Sequence, residues 1–546
     1  MGTPLDLRER YNPPNSLLPR QLPQPRMTHS ANPPLQQLSE WQQFVLAAKA
    51  AKVDASETHI LPAAGLSVDL TGQVYSAELQ AAGQALLEAR DFDNKRAQLF
   101  SGAAVNHTEN RAAWHTMLRA VAPSQEVALE RQRVNDFVRK ADSERRWRDI
   151  VHIGIGGSDW GVRLAVAGFG YARSWRQVRF AANIDGHAIE GALSGLNPHD
   201  TLIVLASKSF TTAETLENGQ RALEWLRSAG VEDPYSNVAA VTARPDLAAQ
   251  WGVPDTQIFK LWDWVGGRFS LWSSVSLTTA LTVGSDIVAG MQMGASAMDT
   301  HFAQTPFERN VPIQMALSGV VNRSVLGYGS LNIAPYDFRL TNLVPYLQQL
   351  EMESLGKSVD DSGRPVQVPT GPAVWGMPGT DAQHTFFQWL HQGSDGAPVD
   401  FIICQTAHHR WPDHHLMLIA NCLAQREALM QGKDYETALN ECLQAGLSLE
   451  QAQEQAHHRV HPGGRPSTLI VLPRLSPYAL GALLALYEHK VFVQGVVWGI
   501  NPFDQWGVEY GKVLAHGIAA ALRGESTASD THDASTTYWV QHLRQP

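Results

Sequence analysis

The sequence predicts an α/β protein with two doubly wound parallel-sheet domains in tandem, a helical layer ahead of them and a short tail behind. Three observations carry that expectation. At 546 residues the chain exceeds one ordinary domain of ~100 to 150 residues, so two to four domains follow. Between 149 and 243, the apolar runs DIVHIGIGG, QVRFAANID, TLIVLASKS and NVAAVTA alternate with amphipathic segments starting at Ser158, His187 and Thr211. That alternation is the signature of βαβ units and a parallel sheet covered on both faces. A second series follows: PAVWGMPG, a helix over 385 to 392, VDFIICQT, a helix over 413 to 430, STLIVLP, and a helix over 478 to 493.

Taken in order, residues 1–38 form a Pro-rich arm, with eight of the 30 prolines in the first 34 positions and no apolar core of a signal peptide. Residues 39–120 read as a helical segment packing on the larger domain. EWQQFVLAAKAAK and SAELQAAGQALLEAR have helical periodicity, and NHTENRAAWHTMLRAV continues it. The first sheet domain spans 121–290 and the second 291–515, with helix-rich sequence over 270 to 355. Residues 516–546 are the C-terminal tail. No run reaches the ~18 uninterrupted apolar residues of a membrane span, so no membrane role is expected. A net charge of −10 argues against a nucleic-acid partner, because phosphate backbones are held by clustered Lys and Arg. Cys404, Cys422 and Cys442 are odd in number and lack CxxC spacing, which fits reduced thiols in a cytoplasmic protein.

In open α/β sheets ligands sit beyond the carboxyl ends of strands, which directs attention to the loops after Gly156, Ala206 and Met377. VHIGIGGSDWG has the order strand, glycine turn, helix that an anion cradle needs, through Gly156, Gly157 and Ser158. A dinucleotide fingerprint would need a third glycine at 159, where this chain has Asp159. SKSFTTAET offers the hydroxyls of Ser207, Ser209, Thr211 and Thr212, the charge of Lys208 and a helix N-terminus. Thr211 and Glu214 also spell a T-x-x-E capping box, which needs no ligand. ESLGKSV ends like a P-loop but carries Glu351 where the first glycine belongs. It leaves Glu353, with Gln349 one turn earlier on the same face. VGGRFSLW places Arg268 after paired glycines, GTDAQHTFFQWLHQG contains His384, and NPFDQWGVEYGK contains Gln505 and Lys512. Seven of the 21 histidines fall in HHRWPDHH and HHRVH, without HExxH or another recognisable ligand set, so no metal site is expected.

These segments, in this order from about residue 40 to 546, resemble the glucose-6-phosphate isomerase family. The resemblance implies two sugar-isomerase (SIS) domains, a homodimer, and conversion of glucose 6-phosphate to fructose 6-phosphate without metal or other cofactor. It assigns Glu353 as catalytic base, His384 and Lys512 as the ring-opening pair, and Arg268 as the cation beside the developing enediolate. Gly157, Ser158, Ser207, Lys208, Ser209, Thr211 and Thr212 take the phosphate-cradle positions, with Gln349 and Gln505 at substrate contacts. His384 is expected to reach the partner's site. The chain departs from the family pattern at Leu355, Asp381, Ala382 and Gly464, and at Ser209, which keeps a hydroxyl.

The residue types suit that chemistry. Moving a carbonyl between C1 and C2 requires a proton to leave one carbon and return to the other, which one carboxylate on one face of a cis-enediol achieves. A fixed guanidinium stabilises the enediolate, and an imidazole suits proton exchange at the ring oxygens near neutral pH. Two other readings compete. A non-catalytic sugar-phosphate sensor would need the cradle without Glu353, His384, Lys512 and Arg268. A nicotinamide oxidoreductase could use Asp185 at the end of the second strand, but Asp159 opposes it.

Overall fold

The computed structural model describes residues 33–53, 56–171, 174–525 and 532–543. Most of the Pro-rich arm, residues 1–32, therefore lies outside the described residues. Among the described residues, eleven strands form two sheets. β1 (Ile60–Ala63), β2 (Leu66–Asp69), β8 (Ser330–Tyr336), β9 (Ala373–Gly376), β10 (Val399–Cys404) and β11 (Ser467–Leu472) make one. β3 (Asp149–Gly154), β4 (Gln177–Phe180), β5 (Thr201–Ala206), β6 (Val238–Thr242) and β7 (Ile258–Lys260) make the other.

The five-stranded sheet is parallel throughout, in the order β4-β3-β5-β6-β7. The chain steps outward to β4 on one side of β3 and to β5 on the other. This is a doubly wound sheet whose switch point lies between β3 and β5, where ligand crevices open. The six-stranded sheet, in the order β1-β2-β11-β10-β8-β9, repeats this arrangement in its parallel part, with β8 playing the role of β3. All six residues of β3, β5 and β10 are buried, as expected where helices cover both faces.

Alternate residues of these strands serve different cores. Ile150, Leu202 and Val204 face a central core shared with Ile333, Ile402 and Ile470 of the other sheet. Val151, Ile203 and Leu205 face an outer core on the first sheet, and Phe401 and Ile403 face one on the second. The helix Pro477–Trp498 runs through the central core. It is long and apolar enough to cross a membrane, yet its apolar stretch is wholly buried within the protein. Helices Ser285–Gln304 and Val311–Val320 pack on it. Contact with Ser285–Gln304 is close enough that a Cβ on Gly294 would meet the Tyr478 carbonyl at 1.8 Å, and one on Gly481 the Met291 carbonyl at 1.9 Å.

Several expectations need correction. Residues 39–120 are not purely helical: β1 and β2 form an antiparallel hairpin that adds to β11, and NHTENRAAWHTMLRAV is loop and a short 3₁₀ turn, His115–Arg119. The hairpin turn, Ala64-Gly65, has φ of 48° and 80°, the left-handed pair of a type I′ turn, without the Asn-Gly or Asp-Gly that usually marks one. The stretch 270 to 355 is not all helix, because β8 sits in its midst between β9 and β10. Pro335 argues against a central strand, but pairing with β9 ends at Ile333–Gly376, so the missing N–H falls beyond that ladder. The short β7 also escapes notice in the sequence. Helix Ser285–Gln304 runs across the expected boundary at 290/291, and Glu509–Leu522 across that at 515/516.

Candidate active site

The GGS turn leaves β3 as a 3₁₀ turn, Gly156–Ser158, ahead of the helix Trp160–Phe169. Gly156 has φ of +61°, which glycine adopts without strain. Gly157 lies so close to the GGR turn that a Cβ there would stand 2.1 Å from the Gly267 carbonyl. Ser270 Oγ donates to the Gly157 carbonyl at 3.1 Å. Two glycine turns from separate segments are thus pressed together, and Arg268 emerges from the second. Asp159 is buried and accepts from Arg163 Nε at 2.7 Å, so it anchors the start of the helix and does not face an anion.

His152, which sequence reasoning passed over, supports the same turn. It is fully buried in β3, with Nε2 2.7 Å from the Ser158 carbonyl and Nδ1 2.8 Å from Thr278 Oγ1. A carbonyl only accepts, so Nε2 carries the proton and Nδ1 accepts from the threonine hydroxyl. Burial pushes this imidazole down to about 4 and keeps it neutral. The signal was a polar residue inside an otherwise apolar strand run.

β5 lies beside β3, so the SKS loop opens next to the GGS turn. Ser207 is buried, with Oγ 3.0 Å from Thr212 Oγ1 and accepting from Phe210 N at 3.1 Å. Ser209 and Thr211 are exposed and joined by a 2.8 Å hydrogen bond. The helix Ala213–Ser228 starts at Thr212, with no side-chain cap, so the T-x-x-E box is not formed and the loop hydroxyls are not consumed as caps. Lys208 Nζ donates to the carbonyls of Asp263 and Val265 at 2.7 and 2.9 Å, which ties this loop to the segment leading into Arg268. Burial, with Arg111 nearby, lowers its pKa.

Arg268 is the most heavily bonded group here. Its side chain is 1% exposed. Nε donates to Ser354 Oγ at 2.7 Å, and Nη2 to the carbonyls of Pro502 and Asp504 at 2.7 and 3.1 Å. Nη1 donates to Gln505 Oε1 at 2.9 Å and to Glu353 Oε2 at 3.2 Å. Burial pulls its pKa down and Glu353 pulls it back up, but a guanidinium remains charged throughout.

Glu353 ends a π-helical turn, Gln349–Glu353, that continues the helix Leu343–Gln348. Gln349 Nε2 donates to Glu353 Oε2 at 3.2 Å and lies where a Cβ on Gly156 would meet it at 2.9 Å. The amide therefore bridges the GGS turn and the carboxylate. Glu353 itself is 23% exposed at the side chain, and both donors meet its Oε2. Lys357, in the failed P-loop, donates to the carbonyls of Glu353 and Asp504 and pairs with Asp504 at 3.2 Å. Asp504 also accepts from Thr108 and Asn501, drawing in the NHTEN loop. Ser354, Lys357 and Asp504 were missed because their partners lie far away in the sequence.

Two expected residues are not gathered by this single chain. His384 ends a 3₁₀ turn, Asp381–His384, and is exposed, as is Asp381. Lys512, on the helix Glu509–Leu522, is exposed and pairs with Glu509 at 2.8 Å. Leu355 is fully buried in the central core. The histidine runs lie largely on the surface. Among the described residues no group of three or more His, Cys, Asp or Glu side chains is placed to hold a metal ion.

The arrangement offers anion-accepting turns beside a carboxylate flanked by a fixed cation, which is equipment for proton transfer on a phosphorylated substrate. The phosphoglucose isomerase family model matches residues 70–540. A glucose-6-phosphate isomerase of Bordetella pertussis (strain Tohama I) is 56% identical over 516 residues, covering 94% of this chain and 99% of that protein. One of Brucella ovis is 44% identical, covering 84% of this chain and 87% of its own. The crystal structure of a glucose-6-phosphate isomerase from Chlamydia trachomatis superposes with a TM-score of 0.81 at 28% identity, over 94% of this chain and all of that one. Fold, site and end-to-end similarity converge, and the chain belongs to the phosphoglucose isomerase family.

Proposed function

We propose that the protein interconverts glucose 6-phosphate and fructose 6-phosphate, the step shared by glycolysis and gluconeogenesis. The observation that carries the reading is the part-exposed Glu353 carboxylate, whose Oε2 accepts from both Arg268 and Gln349 beside the GGS turn. The phosphate would be held by the GGS turn (Gly157, Ser158) and by Ser207, Lys208, Ser209, Thr211 and Thr212. Its binding energy holds the open chain in a reactive geometry.

In the forward direction Glu353 takes the proton from C2 of the open-chain aldose. The C2–H electron pair forms the C1–C2 double bond, and the carbonyl pair moves onto O1. Arg268 faces that developing charge with a guanidinium already desolvated and fixed by four other oxygens, so no reorganisation is needed as the charge forms. Glu353 returns the proton to C1, the O2 proton passes to O1, and the ketose results. Gln349 and Gln505, bonded to Glu353 and Arg268, stand where sugar hydroxyls would meet them.

Ring opening needs a proton to leave O1 and another to reach O5, the role the resemblance gives to His384 and Lys512. Both are exposed and neither hydrogen-bonds Glu353 within the described residues of one chain, which leaves His384 free to serve a homodimer in which His384 of the partner subunit completes the site. The three buried free thiols fit a cytoplasmic location.

The decisive experiment is exchange of solvent tritium into C2 of glucose 6-phosphate. The wild-type protein is expected to exchange, and Glu353→Gln to abolish exchange while still binding the sugar phosphate. Binding by the wild type without exchange would favour the sensor reading.

A further inference from the structure

A buried ion pair lies behind the turn that carries Glu353. Lys490 Nζ donates to Glu351 Oε1 at 2.7 Å, with the two side chains 4% and 0% exposed. Glu351 occupies the middle of the π-helical turn, and Lys490 sits on the wholly buried helix Pro477–Trp498. The second carboxylate oxygen of Glu351 has no hydrogen-bond partner among the described residues. Such a pair is poor value as a source of stability, because desolvating two charges opposes their attraction and apolar residues of similar volume serve as well. What it does supply is direction.

Residues two apart on a helical turn leave the axis roughly 200° apart at 3.6 residues per turn, and somewhat less on the wider π turn. Glu351 therefore points into the core while Glu353 points to the site. Any rotation that swings Glu351 off Lys490 swings Glu353 off Arg268 by a comparable angle. A π turn lacks the regular i to i−4 ladder that fixes rotation elsewhere, and Met352 between the two glutamates is 42% exposed and gives little restraint. Lys490 is itself held, since its helix neighbours Glu488 and His489 are locked to Arg119 and Asp299, and Asp400 lies nearby on β10.

We infer that Glu351 and Lys490 are positioning residues, an anchored lever that sets the angle at which the π turn presents Glu353 to the substrate carbon. The inference rests on Glu353 being the base, and Glu353→Gln tests that separately.

The test is steady-state kinetics of the isomerisation in the full-length protein, with melting temperature and inorganic phosphate affinity measured beside it. Glu351→Met with Lys490→Met replaces the pair by apolar side chains of similar length. It is expected to lower kcat at least ~30-fold, with KM and phosphate affinity within ~3-fold and the melting temperature within a few degrees, because orientation is lost while packing is kept. Glu351→Gln keeps the shape and one acceptor, with Asp400 still beside the ammonium, and serves as the second variant. Its kcat is expected to fall about tenfold at unchanged KM. Double-variant kcat within threefold of wild type, or Glu351→Gln kcat within twofold, overturns the inference. So does a parallel loss of kcat, phosphate affinity and melting temperature, which is the behaviour of a merely structural pair.

Discussion

His152 illustrates how much a single buried polar group fixes. Its imidazole satisfies the Ser158 carbonyl and the Thr278 hydroxyl at once, so His152→Leu strands both. At about 1 to 3 kcal/mol for each buried group left unpaired, a loss on the order of 3 kcal/mol in urea unfolding is expected. The same residue predicts acid sensitivity. In the unfolded chain the imidazole titrates near 6.5, whereas in the fold burial holds it at about 4. Between those values the unfolded state binds a proton that the native state refuses, so stability falls as pH drops from 6.5 towards 4. The decline is on the order of 3 kcal/mol for a shift of this size. Unfolding curves for wild type and His152→Leu should therefore converge as pH falls through that window. Curves that stay parallel would assign the acid sensitivity to other groups. At this scale the sequence singled out candidates within compact motifs, Gly157, Ser207, Arg268 and Glu353 among them. It could not disclose that Arg268 is gripped by Ser354, Pro502 and Asp504, because those partners are 86 to 236 positions away.

Turns and helices make their own claims. The GGS and GGR turns touch through backbone where Gly157 lies, so Gly157→Ala must push them apart. A rise of at least ~10-fold in KM for the sugar phosphate is expected, with the fold retained, because a displacement near 1 Å in a positioning element is costly. An unchanged KM would show that the turn yields elsewhere. The buried helix Pro477–Trp498 is more demanding. Glu488 bonds Arg119 and Trp272 Nε1, and Asp299 accepts from Arg119 and contacts His489 at 2.7 Å. Arg119→Met leaves two carboxylates without their shared cation in a dry interior, and about 3 to 5 kcal/mol should disappear from the unfolding free energy. The apolar runs of β3, β5, β6, β10 and β11 were legible for the reason this helix was, namely a uniform environment along the element. Elements that depend on a neighbour were not. The hairpin β1–β2 contains Pro62 and an Ala-Gly turn, and β8 contains Pro335. In both, local propensity is overruled by the sheet edge or ladder the strand joins.

For the whole molecule, the shared-site proposal has a quantitative consequence. Mixing inactive His384→Ala and Glu353→Gln chains through unfolding and refolding yields mixed dimers, each with one site built from a sound Glu353 and a sound partner His384. With random pairing, about a quarter of wild-type activity should return. If none returns, each chain uses its own histidine.

The repeated topology of the two sheets carries a further lesson about capacity. The second sheet has a switch point of its own, between β8 and β10. There the chain leaves β8 at Asp337, whose carboxylate is clasped by Arg339 at 2.6 and 2.9 Å. An arriving phosphate would meet a negative charge whose cation is already taken, in place of glycine backbone and a hydroxyl-rich loop. The helix that begins beyond this second switch point, Leu343–Gln348, runs on into the turn bearing Gln349 and Glu353. On the proposed function one copy of the architecture would receive the ligand and the other would deliver the base, so titration calorimetry should saturate at one sugar phosphate per chain despite two equivalent clefts in the topology.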